Sequence, residues 1–250
     1  MIDSLSRIAA LARHNALLRL RDPGQFLSYL IMPMLGMLAL KPLYLRAVPG
    51  GTTQVATGLL VMFSALALHI VGAATLTERG WHTWDRLRAT RATVPELLLG
   101  KAIPVYVVLL LQQAVLTAFG VLAVGVRPTG AWWLLGVAIA AWGVTLLAIG
   151  SALAAVVRSH GELHAICDIG ALVVTTIGGA LVPVTLFPHW LRAVAPFSPG
   201  YWALRMLQAA VHGDVPRTLT AATLLLAVAA AAGTFACRRM TRGWGRATLL

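Results

Sequence analysis

Long apolar runs alternate along this chain with short polar interruptions, and the interruptions mark out the elements. Six runs stand out, at residues 25–45, 55–76, 101–124, 132–156, 164–186 and 219–236. A helix needs about 20 apolar residues to cross the hydrocarbon of a bilayer, and each run is of that order. The third, fourth and sixth are nearly free of charge, whereas Lys41 intrudes on the first and His164 and Asp168 on the fifth. Residues 5–20 follow another period. At about 100° per residue, Ser6, Arg7, Arg13, His14 and Arg21 share one arc, and Leu5, Ile8, Leu11, Ala12 and Leu18 cover much of the rest. Leu17 and Arg19 are out of place. The pattern fits a helix lying in the headgroup layer with its arginines toward phosphate; a basic leader ahead of a first span is the plainer alternative. Asp22-Pro23-Gly24 ends it, because proline cannot continue the helical hydrogen-bond ladder.

These elements predict an all-α, polytopic membrane protein, with an interfacial helix over residues 1–22 and a six-span domain over residues 23–250. Composition agrees. Of 250 residues, 59% are hydrophobic and 11% charged, with a mean hydropathy of +0.81. A soluble domain carries about 25% charged residues, so this chain cannot cover a water-facing surface. Its first 21 residues hold no uninterrupted apolar core, which argues against a cleavable signal peptide. Cys167 and Cys237 both lie in apolar stretches, where cysteine acts as a small hydrophobe.

The net charge of +12 comes from 20 Lys and Arg against 8 Asp and Glu. No aromatic motif for base stacking is interleaved with the basic residues, so nucleic acid is not an expected partner; membrane lipid is. With a cytoplasmic amino terminus, six spans place fourteen Lys and Arg inside and six outside. Cytoplasmic loops gather Lys and Arg, so both termini are expected inside. The inner loop at residues 77–100 holds the densest charge. The outer segment at residues 187–216 is broken by Pro188, Pro196, Pro199 and Gly200. It is too short and too interrupted for two crossings, and short re-entrant helices are expected there; such backbone must be buried in protein or line a cavity.

No catalytic chemistry is legible. The single Gly-Lys pair, Gly100-Lys101, lacks the glycine a phosphate loop needs five residues earlier, where Pro95 stands, and has Ala102 in place of Ser or Thr. Any use of ATP must therefore be supplied by another chain, and no catalytic or metal-binding residues are assigned. Glu162, His164 and Asp168 form the tightest ionisable group, with His164 and Asp168 on one helix face. Structural pairing, a transport role and a metal site are all open readings, as intramembrane ionisable groups are functional suspects by default. His69, in the second run, is either an interhelical hydrogen bonder or a transport residue. An ion-coupled carrier using His69, His164 and Asp168 is thus one alternative, and a membrane-embedded enzyme or anchor another. The inner loop carries the sharpest signal. A short helix there would present Trp84 and Leu87 as an apolar knob ringed by Asp85, Arg86 and neighbouring arginines, which suits a groove on a soluble partner. A solvated loop that only fixes topology is the bland alternative.

At this loop the sequence resembles the permeases of type-2 ATP-binding-cassette exporters, particularly the drug- and antibiotic-resistance branch. Glu78, Arg79, Thr83, Asp85, Leu87, Ala89, Thr90, Leu98, Leu99, Gly100 and Lys101 match the family's loop pattern, while Gly80, His82 and Arg91 depart from it. Arg21-Asp22-Pro23 resembles the entry from the family's elbow helix into its first span. Residues 178–183, 187–191 and 196–202 resemble its fifth span and outer re-entrant segment. The resemblance implies that two six-span subunits, identical or not, each sit on a soluble ATPase that binds ATP and Mg, and that this chain itself binds no cofactor. It implies coupling through Glu78, Arg79, Thr83, Trp84, Asp85, Arg86 and Leu87, with export of a hydrophobic or amphipathic compound across a bacterial plasma membrane. Gly178, Gly179 and Pro183 are expected either to bend the fifth span or to let helices pack closely.

Overall fold

Hydrocarbon offers no water to the backbone, so an apolar run must satisfy its own amides, and it does so as helix. The computed structural model describes residues 24–70, 72–73, 76 and 94–241, and among them every regular element is helical. Helix α1 (Gly24–Ala47) begins directly after Asp22-Pro23. Helix α2 (Gly51–Leu66) follows a tight turn, and helical backbone carries its span on to Ile70. Helix α3 (Val94–Phe119) passes into a π-helical turn, Gly120–Val124. Helices α4 (Trp132–Ala154) and α5 (His160–Ile177) come next. Two 3-10 turns, Val184–Leu186 and Ala195–Phe197, flank the short α6 (His189–Val194); α7 (Pro199–His212) and α8 (Val215–Thr241) complete the described chain.

Five helices, α1 to α4 and α8, are long and apolar enough to cross a bilayer. Helix α5 differs from the fifth apolar run. It starts four residues earlier and stops at Ile177, nine residues short, because both of its ends are capped. Ser159 Oγ accepts from Glu162 N at 3.1 Å, and the Glu162 carboxylate accepts from Arg158 N at 2.8 Å, a reciprocal arrangement of the capping-box kind. At the far end Ala180 N donates to Thr175 O and Gly179 N to Thr176 O, the two bonds of a Schellman motif. The motif needs a left-handed residue, and Gly179 supplies it at φ +92°. The Gly178-Gly179 pair therefore ends the helix instead of bending it. Eighteen residues still reach about 27 Å at 1.5 Å per residue.

Two other boundaries move. Helix α3 begins at Val94, within the stretch assigned to the inner loop, with Pro95 in the first turn, where no amide is needed. Helix α8 extends four residues before and five after the sixth apolar run. Asp214 caps it by accepting from Arg217 N at 3.0 Å, and Arg238 and Arg239 sit at its negative end.

Helix α2 is the axis of the bundle. Val55, Leu59, Leu60 and Val61 are all buried, and α2 packs against α1, α3, α5 and α7. Helix α8 lies along α4, its Ala221, Ala222 and Ala229 turned inward. Small residues let helices approach closely, which substitutes in lipid for the missing hydrophobic drive. Polar side chains join the spans. Trp142 Nε1 donates to Ser64 Oγ at 2.7 Å, and Thr145 Oγ1 donates to Leu225 O at 3.2 Å. Lys41, the charge that intrudes on the first run, donates to Ala123 O at 3.3 Å, in the π-helical turn that follows α3. In the expected outer segment, the Arg192 guanidinium bonds Thr185 O and Phe187 O, and Trp202 Nε1 bonds Pro196 O. Ile31, Met32, Leu35 and Leu43 of α1 and Ile169 of α5 face outward, as lipid or another subunit requires.

Candidate functional site

The polar groups buried among these apolar helices gather in two layers. The first lies toward the starts of α1 and α5. His69 of α2 is buried, with its Nδ1 at 3.0 Å from Leu66 O and 3.2 Å from the Tyr29 hydroxyl of α1. A proton on Nδ1 serves both acceptors. The His69 ring lies 4.7 Å, centroid to centroid, from the exposed His164 of α5, and 5.7 Å from the Tyr29 ring. Gln112 of α3 donates to Tyr29 O at 3.3 Å. Asp168, one turn beyond His164, is exposed and within electrostatic range of Tyr29 and His69. Structure thus joins two residues far apart in sequence, His69 and His164, and adds Tyr29, which sequence reasoning missed. Glu162 stands apart from them because its carboxylate closes the α5 cap. Among the described residues no group of three or more His, Cys, Asp or Glu is placed to share a metal ion.

The second layer lies about 22 Å along α2, the rise of fifteen residues. Gln54 is its centre. Its Nε2 donates to Gly179 O at 2.8 Å, and its Oε1 accepts from Gln208 Nε2 of α7, also at 2.8 Å. Tyr44 of α1 donates its hydroxyl to Leu181 O. Ser198, the N-cap of α7, donates to Val174 O of α5 at 2.6 Å while accepting from Gly200 N. Gly58 lies so close that any Cβ there would collide with the Ala180 carbonyl. The carbonyls freed where α5 ends are thereby bound by α1, α2 and α7, and four elements meet in one clamp. Gly178 and Gly179 belong to this layer and Pro183 opens the 3-10 turn beside it, so these three are not brought together with His69, His164 and Asp168. Gln54 and Gln208 were also missed; the available signal was a polar amide within an otherwise apolar helix.

Between the layers, Gln113 of α3 is fully buried, and neither polar atom of its side chain has a hydrogen-bond partner among the described residues. An apolar void of about 20 Å³ lies between α2, the end of α3, α4 and α7, lined by Leu60, Leu116, Gly120, Leu135 and Leu207 among others. It admits no more than about one water and is no binding cavity. The expected coupling residues Glu78, Arg79, Thr83, Trp84, Asp85, Arg86 and Leu87 lie outside the described residues, as do residues 1–22, where an interfacial helix is expected.

A bundle of apolar helices with buried polar layers suits a conduit or gate; what it serves is decided by sequence. The pattern of the ABC-2 type transporter membrane domain matches residues 6–212. The chain belongs to the ABC-2 type transporter family. As an ABC-2 permease it is the transport subunit of an ATP-binding-cassette system and a multi-pass membrane protein. The match runs to the end of α7 and therefore contains both polar layers. No curated protein matches the chain.

Proposed function

We propose that this ABC-2 permease exports a hydrophobic or amphipathic compound, a drug, antibiotic or lipid-like molecule, from the cytoplasm or inner leaflet. In this reading the chain belongs to the drug-resistance branch and sits in a bacterial plasma membrane with both termini inside. Helix α5 is a sixth crossing, and residues 1–22 form the elbow helix. A second permease completes the path, and each permease rests on a separate ATPase that holds ATP and Mg. The observation that carries the reading is the family match over residues 6–212, which takes in a loop whose Glu78-Arg79, Thr83, Asp85 and Leu87 fit a protein-gripping knob. The excess of Lys and Arg on the side of that loop supports its orientation.

ATP binding shifts a membrane conformation only through contacts that differ between the two states, by several kcal/mol for a decisive change. In this reading Trp84 and Asp85 make them, as the loop pattern supports. Trp84→Ala and Asp85→Arg are expected to reduce substrate-stimulated ATPase activity and transport at least about tenfold, by loss of an interfacial anchor, with membrane insertion unchanged. Co-expression with the candidate ATPase, co-purification and ATP turnover measure this. Normal coupling in both variants would show that neither side chain grips the ATPase.

A further inference from the structure

Of the five helices able to cross a bilayer, α8 is the longest, at 27 residues. That length rises about 40 Å, the thickness of a bilayer with its headgroups, so in a multi-pass membrane protein the last turn of α8 meets a headgroup layer. Arg238 and Arg239 stand in that turn. Both are exposed, and neither side chain has a hydrogen bond or ion pair among the described residues. Lys41, Arg192, Arg205 and Arg217, by contrast, are each engaged by a carbonyl, a ring or a carboxylate. The direction of the two guanidiniums is set by the helix. Ala222, Ala229, Ala236 and Met240 are buried on one side of α8, while Leu224, Val228 and Phe235 are 41%, 42% and 49% exposed on the other. At about 100° per residue, Arg238 and Arg239 fall within about 60° of that exposed stripe and flank it. They lie one turn beyond Phe235.

A third cation shares this end of the bundle. Helices α4 and α8 both start beside the end of α7, where Thr129 N donates to Val211 O at 2.9 Å. The Thr145–Leu225 bond then joins them side by side, so they run in the same direction. Arg158, four residues past α4, is therefore at the end where α8 stops, and it too is exposed with its side chain unpaired among the described residues. In sequence Arg242, Trp244 and Arg246 follow α8 directly. Offsetting the helix dipole calls for a cation in the last turn of α8, not for a cluster drawn from two elements. Guanidiniums match the oxygens of a phosphodiester, and basic clusters at the end of a span attract anionic lipid. An arginine that continues a lipid-facing stripe lies among the headgroups of the lipids whose tails cover that stripe. We propose that Arg238 and Arg239, with Arg158, form a docking surface for anionic phospholipid headgroups in the leaflet where α8 ends. The excess of arginine over the whole chain orients insertion; binding at this face is a separate equilibrium of the folded protein. Neither the transported compound nor the ATPase enters into it.

Native mass spectrometry of the full chain in neutral detergent, titrated with phosphatidylglycerol or phosphatidylcholine, tests this. Wild type should bind phosphatidylglycerol more tightly than phosphatidylcholine. Arg238→Gln with Arg239→Gln should weaken phosphatidylglycerol about 25-fold, about fivefold for each arginine, and leave phosphatidylcholine unchanged. Arg238→Lys with Arg239→Lys should keep the preference. Arg46→Gln with Arg127→Gln, which removes two exposed cations from the opposite end of the bundle, should leave it in place, and inorganic phosphate in excess should not displace the lipid. Should the glutamine pair not assemble, Arg239→Gln against Arg239→Lys gives the same comparison. Equal phosphatidylglycerol affinity of wild type and the glutamine pair overturns the proposal; if that pair also fails to co-purify with the ATPase, the face belongs to that protein instead. Equal binding of the two lipids, an equal loss in the Arg46 and Arg127 pair, or displacement by inorganic phosphate overturns it as well.

Discussion

Gln113 sets the problem at the level of single residues. An amide fully buried with both polar atoms unpaired among the described residues costs about 1–3 kcal/mol by protein mutational measures. Replacing it with an apolar side chain of similar length removes that cost. Gln113→Leu should therefore raise stability by about this amount, read as a higher melting temperature for detergent-solubilised protein; a lower one would mean that the amide is paired. Gln54 and Gln208 behave oppositely, since their amides bond each other and the Gly179 carbonyl. Interhelical hydrogen bonds in membrane proteins average about 0.6 kcal/mol and reach about 1.7. A double-mutant cycle of Gln54→Leu and Gln208→Leu should give a favourable coupling in that range, whereas strict additivity would deny the bond a role. Sequence alone singled out His69, His164 and Asp168, because ionisable groups stand out in an apolar run. It passed over Tyr29, Gln54 and Gln208, whose roles depend on partners 40, 125 and 154 positions away, and no local pattern encodes such distances.

Among the elements, helix existence was legible and helix ends were less so. Hydropathy alone finds α1 to α4 and α8, since lipid demands the same apolar length of each. Helix α5 was harder to read. The Ser159 and Glu162 spacing that starts it is a sequence-level signal, but His164 and Asp168 drew attention to chemistry and away from the cap. At its other end Gly178-Gly179 admitted a bend or close packing; the Schellman turn ends the helix there, and the backbone of Gly200 and Tyr201 packs too closely on Gly178 for a side chain, as close packing requires. That turn makes two glycines sensitive in different ways. At Gly58 a side chain would strike the Ala180 carbonyl, so Gly58→Val should prevent assembly of the clamp. At Gly179 the left-handed backbone itself resists a side chain, and Gly179→Ala should cost about 1–2 kcal/mol. Limited proteolysis near residues 178–186 and thermal unfolding distinguish the two. Intact, wild-type-like protein for Gly58→Val would contradict the packing described.

For the whole molecule, the fold class and the family were legible because composition, apolar periodicity and the loop pattern point one way. The arrangement of the two polar layers was not, since it depends on which helices touch α2. These layers place a buried polar cluster and a clamp about 22 Å apart along α2, in a bundle that belongs to the ABC-2 family. We propose that the chain supplies a path through lipid and takes its driving energy from a partner ATPase. The direct measurement is uptake of a lipophilic substrate into sealed proteoliposomes, with the purified chain alone and with the chain plus its ATPase and ATP-Mg. Accumulation against a gradient is expected only in the complete mixture, and it should be lost with Trp84→Ala. Accumulation by the chain alone, driven by an imposed ion gradient and indifferent to ATP, would contradict it.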